Sequence, residues 1–382
     1  MSLADLTSIT LMYKTLGILG GGQLGRMMIT PCIDLGVEVY FLDPNPACSV
    51  ASFTSHLTVG DFKDYETVLN FGRTVDVITV EIEHVNVEAL EQLEKEGKTV
   101  NPSSRLLRTI QDKGLQKQFY VDAGIVSPAF KLISGVREIT EFPIVQKMRT
   151  GGYDGQGVQI LKSETDVAKA FDVPSVLEDL VDLECEVGVM VARNIKGEIQ
   201  VFPPVTMDFD PDLNLVKYVV SPGEITDNLN KKCVQLAKST AEKFELVGIM
   251  AVELFITKEG GVLVNECAPR VHNSGHLTIE GTSISQFEMH IRAVLGLPLP
   301  EVKLLNPSVM VNLVGAAGHT GTPRLTNVED VLAEYGVFMH WYGKTQTRPG
   351  RKMAHVTVVR DTVEKAKTVA DEVLQKLQVV SD

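Results

Sequence analysis

Two apolar runs, Met250-Ala251-Val252-Glu253-Leu254-Phe255 and Val262-Leu263-Val264-Asn265-Glu266-Cys267, flank the turn Lys258-Glu259-Gly260-Gly261. A hairpin symmetric about Glu259 and Gly260 puts Glu253 directly opposite Glu266 on one face. Ala251 then faces Ala268, and Phe255 faces Val264, so the hairpin itself supplies no counter-charge. Like charges directly opposite destabilise a sheet. A divalent cation removes the conflict, and carboxylate oxygen suits Mg²⁺ with nucleotide phosphates completing its shell. The competing reading is one protonated glutamate with a raised pKa. A carboxylate pair also serves glycosidases, but a pair borne on one hairpin beside a glycine loop fits a metal better.

That glycine loop is Lys147-Met148-Arg149-Thr150-Gly151-Gly152-Tyr153-Asp154-Gly155-Gln156-Gly157. Its glycines allow close backbone approach to a triphosphate, and Lys147 on the entering strand is a point charge for one phosphate. A bare hairpin tip would not need Lys, Arg and Asp set among the glycines. The string Ala268-Pro269-Arg270-Val271-His272-Asn273-Ser274-Gly275-His276 follows the second glutamate immediately. Arg270, His272 and Asn273 suit an oxyanion or developing transition-state charge. Further on, His340-Trp341-Tyr342-Gly343-Lys344 and Arg348-Pro349-Gly350-Arg351-Lys352 form a basic patch, either a solvated loop or a phosphate clamp. Glu178-Asp179-Leu180-Val181, with Glu186 beyond it, reads as a solvated strand end or as an edge for a nucleobase and ribose. Gly20-Gly21-Gly22-Gln23-Leu24-Gly25 satisfies GxGxxG after a strand, with Asp43 ending the next strand. Taken alone this is a dinucleotide fingerprint, although a tight strand-to-helix turn has the same spelling.

The elements that must position these groups fall into three stretches. Buried-strand runs at Thr15–Gly20, Val37–Asp43 and Val75–Glu81 alternate with helical patterns such as Asp64–Phe71 and Val87–Glu94, which predicts a parallel sheet wrapped by helices. Pro31 is expected to kink or end the first helix. Asn101-Pro102-Ser103 marks a boundary, with Ser103 a candidate N-cap, and Ser104–Ala123 then read as helical. From Phe142 the pattern is short strands and glycine turns, with amphipathic helices near Asn228–Phe244 and Ser283–Leu295 and strands at Ile249–Thr257 and Gly261–Cys267. Leu297-Pro298-Leu299-Pro300 marks a second boundary. Strands near Ser308–Val314, Val337–Trp341 and Met353–Val359 and a helix over Thr362–Leu377 then make a small β-rich unit.

The chain has 382 residues, enough for two or three domains. A net charge of −13 disfavours general nucleic-acid binding. No apolar run approaches a membrane span, and the N-terminus does not read as a secretion signal. Five cysteines, an odd number without a CxxC pair, argue against a disulfide framework and a structural zinc site, and fit a reducing cytoplasm.

Taken in order, these motifs resemble the ATP-grasp superfamily and, within it, the 5-(carboxyamino)imidazole ribonucleotide synthase family. The most specific strings are GILGGGQLGRMM (Gly17–Met28), RTGGYDGQG (Arg149–Gly157), NECAPRVHNSGH (Asn265–His276), SISQFEMHIRA (Ser283–Ala293) and RPGRK (Arg348–Lys352). The resemblance implies a multidomain α/β and α+β chain: a Rossmann-like pre-ATP-grasp domain over 1–112, an ATP-grasp domain over 113–300 and a β-rich C-terminal domain over 301–382. It implies ATP and Mg²⁺ as cofactors, 5-aminoimidazole ribonucleotide and bicarbonate as substrates, and a cytoplasmic homodimer. By position, Lys113, Lys147 and Gly152, Tyr153, Asp154, Gly155, Gln156, Gly157 and Val158 would contact ATP phosphates. Glu178, Asp179, Leu180 and Val181 would hold adenine, Glu186 the ribose, and Glu253 and Glu266 the metal, with Asn265 beside them. Asp154, Arg270, His272 and Asn273 would line the bicarbonate and amine pocket. Lys344 and Arg351 would bind the substrate phosphate, and Gln23 and Glu81 would also face the substrate. On this reading the N-terminal glycine loop meets a ribonucleotide rather than a dinucleotide. The chain departs from the pattern at Ala268, where many superfamily members have a third metal ligand, at Gln156, and at Asp210, which stands for a nucleotide-binding histidine. With its end at Asp382, it resembles the versions without a fused mutase domain. The enzyme rivals are a formate-dependent transformylase of the same superfamily and a Rossmann oxidoreductase; a non-catalytic nucleotide-binding regulator is a third reading.

Overall fold

The structure, a computed structural model, describes residues 14–152, 157–210 and 215–381. The first unit is a parallel sheet of β1 (Thr15–Leu19), β2 (Glu38–Asp43), β3 (Leu57–Val59), β4 (Val77–Val80) and β5 (Thr99–Val100) in the order β3-β2-β1-β4-β5. β1 and β4 are buried almost throughout, with α1 (Gln23–Asp34), α2 (Tyr65–Arg73) and α3 (Val87–Lys95) following the strands of this sheet. Pro31 does not end α1: the helix runs one turn further, to a cap at Leu35 whose N–H reaches the Pro31 carbonyl. Pro31 is buried, and the missing donor leaves only the Met27 carbonyl without its helical partner.

Ser103 caps the next helix as expected, its hydroxyl accepting from Leu106 N–H. The stretch Ser104–Ala123 is helical as expected, in two pieces, α4 (Ser104–Gln111) and α5 (Lys113–Ala123). Asp112 breaks them by leaving helical geometry, and its carboxylate caps α5 through Gly114 and Leu115 N–H. This break starts a helix at Lys113, which places that lysine at the site described below.

A four-stranded antiparallel sheet follows, with β6 (Phe130–Ile133), β7 (Ile144–Met148), β8 (Val158–Leu161) and β9 (Ser175–Asp179) in the order β6-β9-β7-β8. The large sheet contains β10 (Leu183–Arg193), β11 (Ile199–Val201), β12 (Val205–Asp210) and β13 (Leu215–Ser221), with α6 (Asp227–Lys243) packed on it. β14 (Gly248–Thr257) and β15 (Val262–Ala268) form its edge hairpin, followed by the short α7 (Thr278–Gly281) and α8 (Gln286–Val294). Met28 and Ile29 of α1 share one core with Phe287, Met289 and Ile291 of α8, which fixes the first unit against this sheet.

The segment after Pro300 continues the large sheet. β16 (Ser308–Val314) pairs with β13, setting Val309 opposite Val220. β17 (Pro323–Leu325) and the short α9 (Val328–Leu332) lead to β18 (Val337–Trp341) and β19 (Lys352–Val359), which extend the sheet past β16. α10 (Val363–Lys376) covers β16 and β19, and β20 (Val379–Ser381) pairs with β17. Among the described residues, no helix is long and apolar enough to cross a membrane.

Candidate active site

Glu253 and Glu266 are opposite one another, as are Ala251 and Ala268. Toward the turn the register is offset by one: Phe255 pairs with Leu263, and Val264 pairs with Leu254. The hairpin closes over Lys258-Glu259-Gly260, with Thr257 N–H on the Gly261 carbonyl at 3.0 Å. That register alone would bring Asn265 opposite Glu253. Opposite the Glu253–Leu254 step of β14, β15 bulges with Asn265 as its extra residue, and Glu266 returns to face Glu253.

The counter-charge missing from the hairpin comes from outside it. Lys113 Nζ pairs with Glu266 Oε2, and Lys147 Nζ donates to Asn265 Oδ1 at 2.7 Å. Lys113 beside it holds the Glu266 carboxyl well below the usual carboxylate range, with partial desolvation opposing. Burial pushes Glu253 up, and the Glu266 charge adds to it. Glu186, two residues from the partner of Glu253 on β10, is pushed up to about 7 by burial, with Lys147 opposing and Glu266 adding. No group of three His, Cys, Asp or Glu side chains among the described residues could hold a metal by itself. Two facing carboxylates, one of them disfavoured as an anion, fit a hard cation that brings phosphate oxygens as its other ligands.

Lys147 is held from a second side. Glu178 Oε2 lies 2.8 Å from Lys147 Nζ, and Glu178 Oε1 lies 3.0 Å from Lys117 Nζ. The Glu178 side chain is only 3% exposed. Its carboxylate therefore steers lysines, leaving the backbone of the β9–β10 link for any nucleobase; Asp179 and Leu180 there are exposed. Arg149 forms a two-point pair with Asp112 at 2.9 and 2.6 Å, and its carbonyl accepts Lys113 N–H at 2.9 Å. The start of α5 is thus tied to the entrance of the glycine loop, whose neck closes where Met148 N–H meets the Gly157 carbonyl at 2.8 Å and Lys147 pairs with Val158. Gly152 stands just before the undescribed part of the loop. Tyr153, Asp154, Gly155 and Gln156, and the side chain of Asp210, lie outside the described residues.

Arg270, His272 and Asn273 follow β15 directly and reach the same end of the hairpin. Arg270 Nε lies 2.8 Å from Glu83 Oε1, an ion pair that spans from the first unit to this loop. Glu83 is held below its ordinary range because Arg270 outweighs the burial that would raise it. His272 Nε2 lies 3.4 Å from Glu253 Oε1, and its Nδ1 is 2.9 Å from Ser274 Oγ. Burial, with Arg270 and Lys352 nearby, lowers the His272 pKa to about 4, so the ring is neutral at neutral pH. Asn273 exchanges amide hydrogen bonds with Asn312 of β16 at 2.9 and 3.0 Å.

The fully buried Gln286 grips His272 by its backbone: Oε1 accepts His272 N–H at 2.8 Å and Nε2 donates to the His272 carbonyl at 2.7 Å. Gln286→Leu leaves both groups unpaired and lets the ring shift; a roughly 10²-fold loss of kcat is expected, checked by steady-state assay beside a thermal melt. Gln286, Glu83, Lys117 and Asp112 carry no role in the sequence reading. Gln286 lies within the SISQFEMHIRA string and Glu83 two residues past Glu81, but nothing local distinguishes them.

The N-terminal glycine loop spends its donors on its own protein. Glu81 accepts Gly22 N–H at 2.7 Å and also Gly25 N–H. Asp43 accepts Gly21 N–H at 2.8 Å. A Cβ at Gly22 would stand 2.5 Å from Glu81 Oε1, so glycine is required for this approach. Burial raises the Glu81 pKa, and the two N–H groups oppose that rise. Carboxylates thus sit where a dinucleotide would place its pyrophosphate, and Asp43 is not available to a ribose. Gln23 instead bridges to the other end of the chain: Lys344 Nζ donates to its Oε1 at 2.8 Å. Arg351 Nη1 bonds the Gln346 carbonyl at 2.7 Å in the same basic loop.

Residues 13–111 match the ribonucleotide synthetase preATP-grasp domain, 118–287 the ATP-grasp domain, and 308–368 the phosphoribosylaminoimidazole carboxylase C-terminal domain. The N5-carboxyaminoimidazole ribonucleotide synthase of Synechococcus elongatus is 36% identical over 90% of this chain and 88% of its own length. The chain belongs to the N5-carboxyaminoimidazole ribonucleotide synthase family. The crystal structure of the Thermotoga maritima N5-carboxyaminoimidazole ribonucleotide synthetase superposes with a TM-score of 0.90 at 44% identity, covering 97% of this chain and all of the other. The Aspergillus clavatus synthase, solved in complex with ADP and 5-aminoimidazole ribonucleotide, gives a TM-score of 0.86 at 31% identity over 96% of this chain and 98% of its own. Some family relatives are longer: this chain spans 63% of the chloroplastic phosphoribosylaminoimidazole carboxylase of Vigna aconitifolia. The facing glutamates and the Arg270–Asn273 loop both fall within the matched ATP-grasp segment, and the Gln23–Lys344 bond joins the first matched segment to the third.

Proposed function

We propose that this chain is an ATP- and bicarbonate-dependent ligase that carboxylates the amine of 5-aminoimidazole ribonucleotide, giving N5-carboxyaminoimidazole ribonucleotide, ADP and phosphate for purine biosynthesis. The observation that carries this reading is the facing Glu253–Glu266 pair, beside Lys113 and Lys147 on one side and Arg270, His272 and Asn273 on the other. Support comes from the relative solved with ADP and 5-aminoimidazole ribonucleotide.

Bicarbonate is a poor electrophile until one oxygen becomes a leaving group. On this reading a bicarbonate oxygen attacks the γ-phosphorus, the bond to the β-phosphate oxygen breaks, and ADP leaves. The amine lone pair then attacks the carboxyl carbon of carboxyphosphate, the carbon–oxygen bond to phosphate breaks, and the nitrogen loses a proton. Mg²⁺ held by Glu253 and Glu266 would neutralise phosphate charge. Lys113, Lys147 and the loop Gly152–Val158 bind the phosphates, with Glu178 to Val181 and Glu186 around the nucleoside and Asp210 near it. Arg270 and Asn273 orient the bicarbonate oxygens together with Asp154, and neutral His272 accepts the amine proton. Lys344 and Arg351 take the substrate phosphate, with Gln23 and Glu81 at its ribose side. The loop closes over the intermediate and excludes water. A cytoplasmic homodimer completes the reading.

Phosphate release with each substrate omitted in turn is the deciding experiment. Release is expected to need both bicarbonate and the ribonucleotide. Release that proceeds unchanged without the ribonucleotide, or that takes formate for bicarbonate, overturns the assignment.

A further inference from the structure

We infer that Arg26 is a third cationic arm of the substrate-phosphate site, acting beside Lys344 and Arg351. The inference rests on the proposed reading that those two residues bind the ribonucleotide phosphate. It deepens that reading by adding a residue from the opposite end of the chain.

Arg26 lies in the first turn of α1, where the helix dipole favours anions and no acidic residue is present. Among the described residues its guanidinium makes no ion pair and no side-chain hydrogen bond; it lies over the Phe53 ring, 4.4 Å from the centroid. Partial burial also lowers its pKa. A half-buried arginine with unspent donors at a helix N-terminus is unfavourable for the free protein, which is the condition of a group awaiting an anion.

Its position names that anion. Gly343, at φ +72°, directly precedes Lys344, and a Cβ built on Gly343 would overlap Arg26 Nη1. Only glycine both adopts that backbone and lets the guanidinium lie against the loop. Gln23, three residues earlier on the same helical face, already receives Lys344 Nζ at 2.8 Å. One face of α1 therefore presents Gln23 and Arg26 to one loop, and sets the guanidinium against the backbone that carries Lys344. Glu81 and Asp43 already take the N–H groups of Gly21, Gly22 and Gly25, which leaves the side chains of this turn as the main donors to an anion. Stacking on Phe53 holds the guanidinium plane, which suits a two-point bond to a phosphate monoester.

The test compares Arg26→Met, Arg26→Lys and Lys344→Met with wild type, on 5-aminoimidazole ribonucleotide and on the riboside that lacks the phosphate. Arg26→Met is expected to raise KM for the ribonucleotide about 10- to 100-fold, with the loss in KM rather than in kcat and KM for ATP little moved. The preference for ribonucleotide over riboside should fall by the same factor. Arg26→Lys should recover part of it, since an ammonium keeps the charge but not the two-point geometry. If Lys344→Met raises KM and Arg26→Met does not, Arg26 is not in the site and the phosphate reading stands. If neither raises it, the phosphate reading itself fails. Equal losses on riboside and ribonucleotide would show that Arg26 serves only to pack the loop, and would overturn the inference.

Discussion

Glu266→Gln is expected to lower ATP-dependent phosphate release by roughly 10³-fold or more, while the melting temperature stays close to that of the wild type. The two halves of this expectation have separate causes. Glutamine keeps the shape of the side chain and the bulge at Asn265, which is a backbone feature. The pair with Lys113 is partly solvated, with the Glu266 side chain 41% exposed, so its loss costs at most about 1 kcal/mol. Catalysis loses more, because the cation would keep a single protein carboxylate and Lys113 would no longer be aligned. Glu253→Gln gives the complementary result. Its charge is opposed in the free protein by burial and by Glu266, so removing it should raise thermal stability while abolishing turnover. Thermal melts of both variants, with phosphate release titrated against Mg²⁺, check the pair. Either variant retaining turnover within tenfold of wild type would exclude a two-carboxylate metal site.

The pairing of these glutamates was legible for a reason that the structure refines. A symmetric two-residue turn and an unbroken ladder predict the same partners as a three-residue turn followed by a one-residue bulge. The two offsets cancel at Glu253 and Glu266 and do not cancel at Phe255. Gly260, at φ +77°, sits at the left-handed end of the three-residue turn, and that conformation is compatible with several loop lengths. Strands Ser308–Val314 and Val337–Trp341 were readable to the residue because β-branched and aromatic runs carry their own signal. Their docking onto β13 was not readable, since the partner lies far away in sequence and the pattern names no partner.

The same limit governs the site. Residue types in the motifs pointed to phosphate, metal and oxyanion chemistry, yet the groups that tune them arrive from elsewhere. Lys113 is 153 residues from Glu266, and Glu83 reaches Arg270 from another unit of the fold. The GxGxxG string shows the limit from the other side. Its spacing is that of a dinucleotide loop, but Asp43 and Glu81, from the ends of the strands on either side of β1, have already taken the N–H groups of Gly21, Gly22 and Gly25. Spacing reports which donors a loop can offer. Whether they are still available is set by tertiary neighbours.

Glu178→Gln is expected to destabilise the fold by about 3–5 kcal/mol, whereas Lys117→Met is expected to cost little or to stabilise. Glu178 lies between two ammonium groups, Lys117 at 3.0 Å and Lys147 at 2.8 Å, and the Lys117 side chain is only 2% exposed. Removing the central charge leaves two buried cations facing each other across a neutral amide. Removing Lys117 instead leaves a complete Glu178–Lys147 pair, and the methionine body suits the space beside Tyr120 and Phe130. Burial already lowers the Lys117 pKa, with Lys147 adding to it, although Glu178 opposes them. A lysine whose folded pKa lies below its unfolded value penalises the folded state most at low pH. The penalty fades as pH rises from the depressed value toward the ordinary 10.5. The stability advantage of Lys117→Met over wild type should therefore shrink across that window. Function should follow Lys147: with Glu178 neutral, Asn265 alone holds its ammonium, and KM for ATP should rise in Glu178→Gln but not in Lys117→Met. Urea unfolding of both variants, repeated across pH, measures the first effect and ATP titration the second. Equal unfolding midpoints for the two variants would mean that Glu178 does not hold the lysines together.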